Sequence, residues 1–233
     1  TAPKSAPVIE TSLPTEPPAT IAPALTLEML KNGLYNTPQY GKTVTLTGGS
    51  YEAGSGADYM LVKLLDQVAF GDLNGDGLED AAILLAENGG GSGVFVSLVV
   101  LLNQNGLPVQ SGATLIDDRP KINSLTIQNG SLVVEAVIHR INDSMVSPTL
   151  GVTETYRFAS SGLTLTRFTS KTPGGAERAI YIESPASGAE VSGSVQLKGN
   201  MPIGPFESNL AYRIYAPTGE KLTEGPFSVQ AED

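Results

Sequence analysis

Oxygen-bearing side chains recur at alternate positions in Asp72-Leu73-Asn74-Gly75-Asp76-Gly77-Leu78-Glu79-Asp80. That spacing suits a hard, oxygen-seeking cation, because alternate residues of a tight loop turn carboxylate and amide oxygens toward one point. Gly77, directly after the third such residue, permits the sharp backbone turn that follows. The segment therefore predicts a calcium loop with side-chain ligands Asp72, Asn74, Asp76 and Asp80, and a backbone carbonyl ligand from Leu78. It is not an EF-hand: the bidentate glutamate that closes such a loop would fall at Ile83, and the flanks would be helices. Here the loop leads into Ala81-Ala82-Ile83-Leu84-Leu85, a short apolar run that reads as a buried strand. The alternative is an Asp/Asn/Gly surface turn with no metal.

With Phe70-Gly71 at its start, the loop resembles the FG-GAP type of calcium loop found between strands in integrin-like propellers and in secreted bacterial proteins. Propellers repeat that motif once per blade. This chain carries it once, which argues for one structural ion and against a catalytic one.

Few other residues could do chemistry. There is no cysteine and no tryptophan, and His139 is the single histidine, so thiolate catalysis, disulfides and Cys/His zinc sites are excluded or unlike this chain. His139, after Val133-Val134-Glu135-Ala136-Val137-Ile138, reads as a structural or surface residue. In Asp117-Asp118-Arg119, adjacent strand positions point to opposite faces, which makes a poor acid–base couple. A local Asp–Arg pair pinning a loop fits better. The run from Gly89 to Gly93 lacks the Gly-Lys-Ser/Thr ending of a phosphate loop and precedes a strand, so it reads as a turn. Ser55, Ser92 and Ser97 lack a nucleophile-elbow setting. Tyr35, Tyr40, Tyr51 and Tyr59 lie close in sequence and fit either a carbohydrate-binding face or sheet packing. A formal net charge of -10 repels phosphate backbones, so nucleic acid is not an expected partner. No run approaches the ~18 apolar residues of a membrane helix.

The elements that must position the loop are mostly strands. Residues 1–24 are a Pro/Thr-rich arm or tether, within which Ala6-Pro7-Val8-Ile9-Glu10-Thr11 could pair as an edge strand. Residues 25–170 form a β-rich domain. It opens with a short helix around Leu27 to Leu30, capped by Thr26 and stopped near Asn32-Gly33. Strands follow at Thr43–Thr47, Tyr59–Val68, Ala81–Ala86 and Gly93–Leu102. Asn129-Gly130 between alternating runs marks a type I′ hairpin, and Thr153–Phe158 with Leu163–Phe168 marks a second. Residues 171–179 read as an interdomain linker.

Leu30-Lys31-Asn32-Gly33 with Tyr35, the Phe70–Ala82 segment, Gly90-Gly91-Ser92-Gly93 and Asp118-Arg119 together resemble a family of exported bacterial proteins. Where that family has Cys-Cys-Pro, this chain has Val146-Ser147-Pro148 after Asp143-Ser144-Met145. Residues 180–233 resemble the spore-germination (Gmad-like) immunoglobulin-like domain. The match runs through Ile182-Glu183-Ser184-Pro185, Gly188-Ala189-Glu190-Val191, Val195-Gln196-Leu197-Lys198-Gly199, Phe206-Glu207 and Leu210-Ala211-Tyr212-Arg213-Ile214-Tyr215. The resemblance implies that Val195, Leu197, Phe206, Tyr212 and Ile214 face a core, with a turn at Pro217-Thr218-Gly219. About seven strands make such a sandwich, whereas this stretch supplies four or five. Truncation, cover by the first domain, or a strand donated by another subunit would each account for the shortfall.

The expected fold is thus mainly β: an antiparallel-sheet domain with one short helix, then a partial immunoglobulin-like sandwich. The expected function is non-enzymatic. It is that of a secreted or cell-surface calcium-binding structural protein of the bacterial envelope, self-associating through the arm and the open C-terminal domain. A lipid anchor upstream of residue 1 fits the tether. The alternative is an anchored lipoprotein that binds a glycan or peptide.

Overall fold

The structure is a computed structural model that describes residues 22–140, 143–159, 162–172, 174–186, 188–205, 208–215 and 221–229. The arm strand read at 6–11, Phe206-Glu207 and the turn at 217–219 lie outside the described residues.

The chain begins with helix α1 (Leu27–Lys31), whose start is fixed by the Thr26 hydroxyl accepting from the Met29 N–H at 3.3 Å. Asn32 ends it, its side chain donating back to Glu28. Strands β1 (Leu34–Asn36) and β2 (Thr43–Thr45) form a small antiparallel ladder. Then come β3 (Ser50–Ala53), β4 (Met60–Gly71), β5 (Asp80–Asn88), β6 (Phe95–Gln104) and β7 (Leu107–Asp118). These five make one antiparallel sheet in sequence order, because each is joined to the next by a short turn. The second sheet holds β8 (Lys121–Gln128), β9 (Ser131–Ile138), β10 (Leu150–Ala159), β11 (Gly162–Lys171) and β12 (Glu177–Ala179), again in order.

The first sheet is buried on both sides. One face packs Leu84, Leu98 and Val100 against Leu132, Val134, Val152 and Tyr156 of the second sheet. The other packs Ile83, Leu85, Val99 and Leu101 under Leu30, Tyr35, Val44 and Leu46 of the helix and small ladder. Because β5 and β6 are covered above and below, their sequences run apolar without alternation. Strands β9 and β10, covered on one side, alternate. The expected strands all appear, and the Asn129-Gly130 turn has both residues at positive φ, 50° and 69°, as type I′ requires. Asn105-Gly106 repeats the device between β6 and β7, at 56° and 88°.

Two expectations are corrected. The segment 171–179 is not wholly a linker: β12 pairs with β11, and Ala179 is buried, so the second sheet extends through it. In the C-terminal region, β13 (Tyr181–Ser184) pairs with β14 (Lys198–Asn200), and β15 (Asn209–Tyr215) with β16 (Lys221–Ser228), as separate ladders. Val195, Leu197 and Ile214, expected to face a core, are exposed. Two-stranded ladders have no second layer against which to bury a face. Tyr212 packs on Phe227 with ring centroids 6.4 Å apart. Among the described residues, no helix is long and apolar enough to cross a membrane.

Candidate functional site

The loop from Asp72 to Glu79 joins β4 to β5. Its shape follows from side chains taking the backbone N–H groups that the tight turn leaves unpaired. Asp72 Oδ1 accepts from the Gly75 N–H at 2.7 Å and Oδ2 from Gly77 at 3.0 Å. Asn74 Oδ1 accepts from Asp76 N–H at 3.0 Å, and Asp76 Oδ1 from Leu78 N–H at 2.8 Å. The Asn74 amide donates to Asp76 Oδ2 at 2.9 Å. Gly75 and Gly77 both sit at φ 82°, a left-handed conformation that glycine adopts without strain. The N–H groups of Gly75 and then Gly77 hold the Asp72 carboxyl below its ordinary range.

Asp80 behaves differently. It is the first residue of β5 and fully buried. Its Oδ2 accepts from the Leu73 N–H and its Oδ1 from the Asn103 N–H, each at 2.9 Å. Burial pushes its carboxyl up, and the negative charges of Asp76 and Asp72 add to this against the pull of the two N–H groups. The predicted ligands therefore fall into two sets. Asp72, Asn74 and Asp76 line the exposed loop, while Asp80 lies beneath it and ties it to β6. Among the described residues, no three His, Cys, Asp or Glu side chains converge to hold a metal, so the three carboxylates do not meet at one point in this conformation. None of the three has an ion-pair partner among the described residues. The donor chemistry nonetheless suits calcium, since a carboxylate oxygen accepting one N–H keeps a second lone pair for an ion.

Asn103, which sequence reasoning missed, is the hub beside this site. Its amide donates to the carbonyls of Pro23 at 2.9 Å and Glu79 at 3.3 Å, and its Oδ1 accepts from Gly106 at 2.7 Å. Its position just ahead of Asn105-Gly106 was the available signal. Glu87 was missed as well. Fully buried, it accepts from the Gln39 N–H with both oxygens, at 3.3 and 3.2 Å. It thereby fixes the β1–β2 turn on the first sheet, and burial raises its carboxyl.

Asp117 and Asp118 point apart, as strand alternation demands. The Arg119 guanidinium forks onto Asp118 at 3.0 and 2.7 Å, and Asp118 accepts from the Val94 N–H at 2.7 Å. Burial works against this carboxyl, but the Arg119 and Val94 contacts outweigh it and hold it low. The loop-pinning pair is therefore real. Asp117 instead accepts from His139, at 2.6 Å from its backbone N–H and 2.8 Å from Nδ1. This links the end of the first sheet to the end of β9 in the second. His139 Nε2 is buried with no hydrogen bond of its own; the carbonyls of Met145 and Ser144 lie near enough only to favour the charged ring. Nearby inside the sandwich, Tyr156 donates to buried Glu154 at 2.8 Å, and burial raises both groups.

The Asp117 hydrogen bond, chiefly, raises His139 above its ordinary value. A raised histidine contributes stability that is fully present below its unfolded pKa, about 6.5, and that is lost as pH rises through the folded value. Replacing His139 with glutamine should therefore flatten the decline in stability above roughly pH 6.5. Urea midpoints measured across pH would show this, and superimposable profiles would exclude the link.

The glycine run at 89–93 is a turn, held by the Asn88 side chain donating to the carbonyls of Gly91 and Gly93. The tyrosines do not form one face. Tyr35 is buried in the core and donates to the Leu30 carbonyl at 2.6 Å. Tyr40 packs edge-on against Phe95, and Tyr59 donates to Glu52. Ser97 is buried within β6 and has no nucleophile setting.

No protein family matches this chain, nor does any curated protein or any solved structure.

Proposed function

We propose that this protein is a non-enzymatic, calcium-braced β scaffold that works outside the cell or at the bacterial cell envelope. The observation that carries the reading is the β4–β5 loop. Three carboxylates without cationic partners lie on one nine-residue stretch, and two of them raise the third by their charge. A divalent ion held by Asp72, Asn74, Asp76, Asp80 and the Leu78 carbonyl would relieve that repulsion. It would brace the turn joining the two longest-buried strands. Binding free energy then becomes folding free energy. The FG-GAP-like resemblance supports the same reading, and the Gmad-like resemblance of the C-terminal region supports an envelope setting.

Assembly is the second part of the proposal. The C-terminal ladders expose Ile182, Val191, Leu197 and Leu222 beside unpaired strand edges. A strand donated from the N-terminal arm of another copy, built on residues 6–11, would cover them. Such head-to-tail contacts do not close and so extend into filaments or tubes. The anchored glycan- or peptide-binding alternative is weakened by the burial of Tyr35.

Calcium titration of the full chain tests the core of this. Saturation at a hundredfold excess over Kd should stabilise the fold by about 2.7 kcal/mol, read as a rise in melting temperature. The Asp72→Ala/Asp76→Ala double variant should lose that rise. Equal melting with and without the ion would end the calcium reading. Deleting residues 1–24 should abolish assembly, seen by sedimentation, while leaving the calcium shift in place.

A further inference from the structure

We infer that the groove between edge strands β1 and β7 is covered by this chain's own N-terminal segment, the uncharged run Pro17-Pro18-Ala19-Thr20-Ile21. The groove holds about 670 Å³, and no described residue lining it is charged, in a chain of net charge -10. Leu34 and Leu107, on its two sides, are each 64% exposed. Strand β7 is the last of its sheet, and β1 pairs only with β2. Two backbone edges thus face each other across an apolar trough, an arrangement that folded proteins normally cover. A single side chain spans the gap: Gln110 accepts from the Asn36 N–H at 2.8 Å and donates to its carbonyl at 2.9 Å.

The occupant is indicated by where the described chain begins. Pro23 lies against Gly106, its ring 3.0 Å from where a β-carbon would stand, and its carbonyl is held by Asn103. Leu25 is then buried. The residues before Ala22 therefore start beside the first residue of β7, and 21 of them precede it. Run back along the groove, they lie antiparallel to β7. Five residues cover about 16 Å at the strand rise, roughly the length of Leu107–Ser111. Ala19, Thr20 and Ile21 keep N–H groups for that edge, and prolines are tolerated on the outermost strand of a sheet. Their lack of charge matches the lining. The inference concerns the root of the arm, not residues 6–11, and rests on neither the calcium nor the assembly reading.

Hydrogen exchange of the full chain at two concentrations roughly a hundredfold apart tests it. Amides of Leu107–Ser111 should exchange about tenfold more slowly in the natural chain than in Ile21→Asp, equally at both concentrations. Equal rates in the two forms would overturn the inference. So would protection that appears only at the higher concentration, since that assigns the groove to a second copy. Because the chain lacks cysteine, Thr20→Cys with Val109→Cys gives an independent reading. A disulfide within one chain is expected, and its absence, or a crosslink solely between chains, would count against the inference.

Discussion

Replacing Asp80 with alanine is expected to lower the unfolding free energy by about 3 kcal/mol, with or without calcium. The substitution leaves the buried N–H groups of Leu73 and Asn103 with no acceptor, and each such orphan costs about 1–3 kcal/mol. It also detaches the loop from β6 at the residue that holds Glu79 and Pro23. Asn at the same place keeps one acceptor oxygen and sets an amide donor against the other N–H, so its loss should be of similar size. Urea unfolding at neutral pH measures both, as a lowered midpoint at unchanged slope. A loss below about 1 kcal/mol in the alanine variant would show that the two N–H groups find other partners.

Leu98→Ala should be at least as damaging, by about 2–5 kcal/mol. Leu98 is fully buried, stands opposite Leu84 across the β5–β6 ladder, and faces the second sheet. Removing its branched end opens a cavity in the middle of three layers, where rigid strands on both sides hinder collapse. Leu107→Ala, at an exposed edge position, should stay within about 0.5 kcal/mol. Urea midpoints of the pair separate the two cases, and equal midpoints would mean that the sheet-to-sheet face is not the main core.

Buried acids also set the pH response, with opposing signs. Asp80, Glu87 and Glu154 are raised by burial, so on the folded side they favour mildly acid conditions. Asp72, Asp118 and Asp143 are lowered, and their contribution is lost as pH falls through their folded values. Bound calcium would favour the charged form of Asp80 and shift the balance toward neutral pH.

Much of this molecule was written in local patterns. Thr26 and Asn32 bound the helix because their short side chains cap its ends. Asn105-Gly106 and Asn129-Gly130 made hairpins because only such pairs take positive φ twice without strain. The unbroken apolar runs of β5 and β6 announced strands covered on both faces. Asp118-Arg119 paired within reach of its own backbone. The calcium ligands, too, were chosen by spacing alone.

Tertiary structure decided what spacing cannot carry. Asp80 turned inward to N–H groups seven and 23 residues away, while the other three ligand candidates stayed on the exposed loop. Asp117 found His139, 22 residues on, and Glu87 reached back to a turn 48 residues earlier. Val195, Leu197 and Ile214 carry an inward-facing pattern but lie exposed, because alternation marks which side of a strand is apolar and not whether a second layer exists to cover it. Turn chemistry and periodicity act over a few residues, where covalent geometry limits the choices. The partner of a buried carboxylate depends on which strands the fold brings alongside it, and that is settled by the packing of the whole chain.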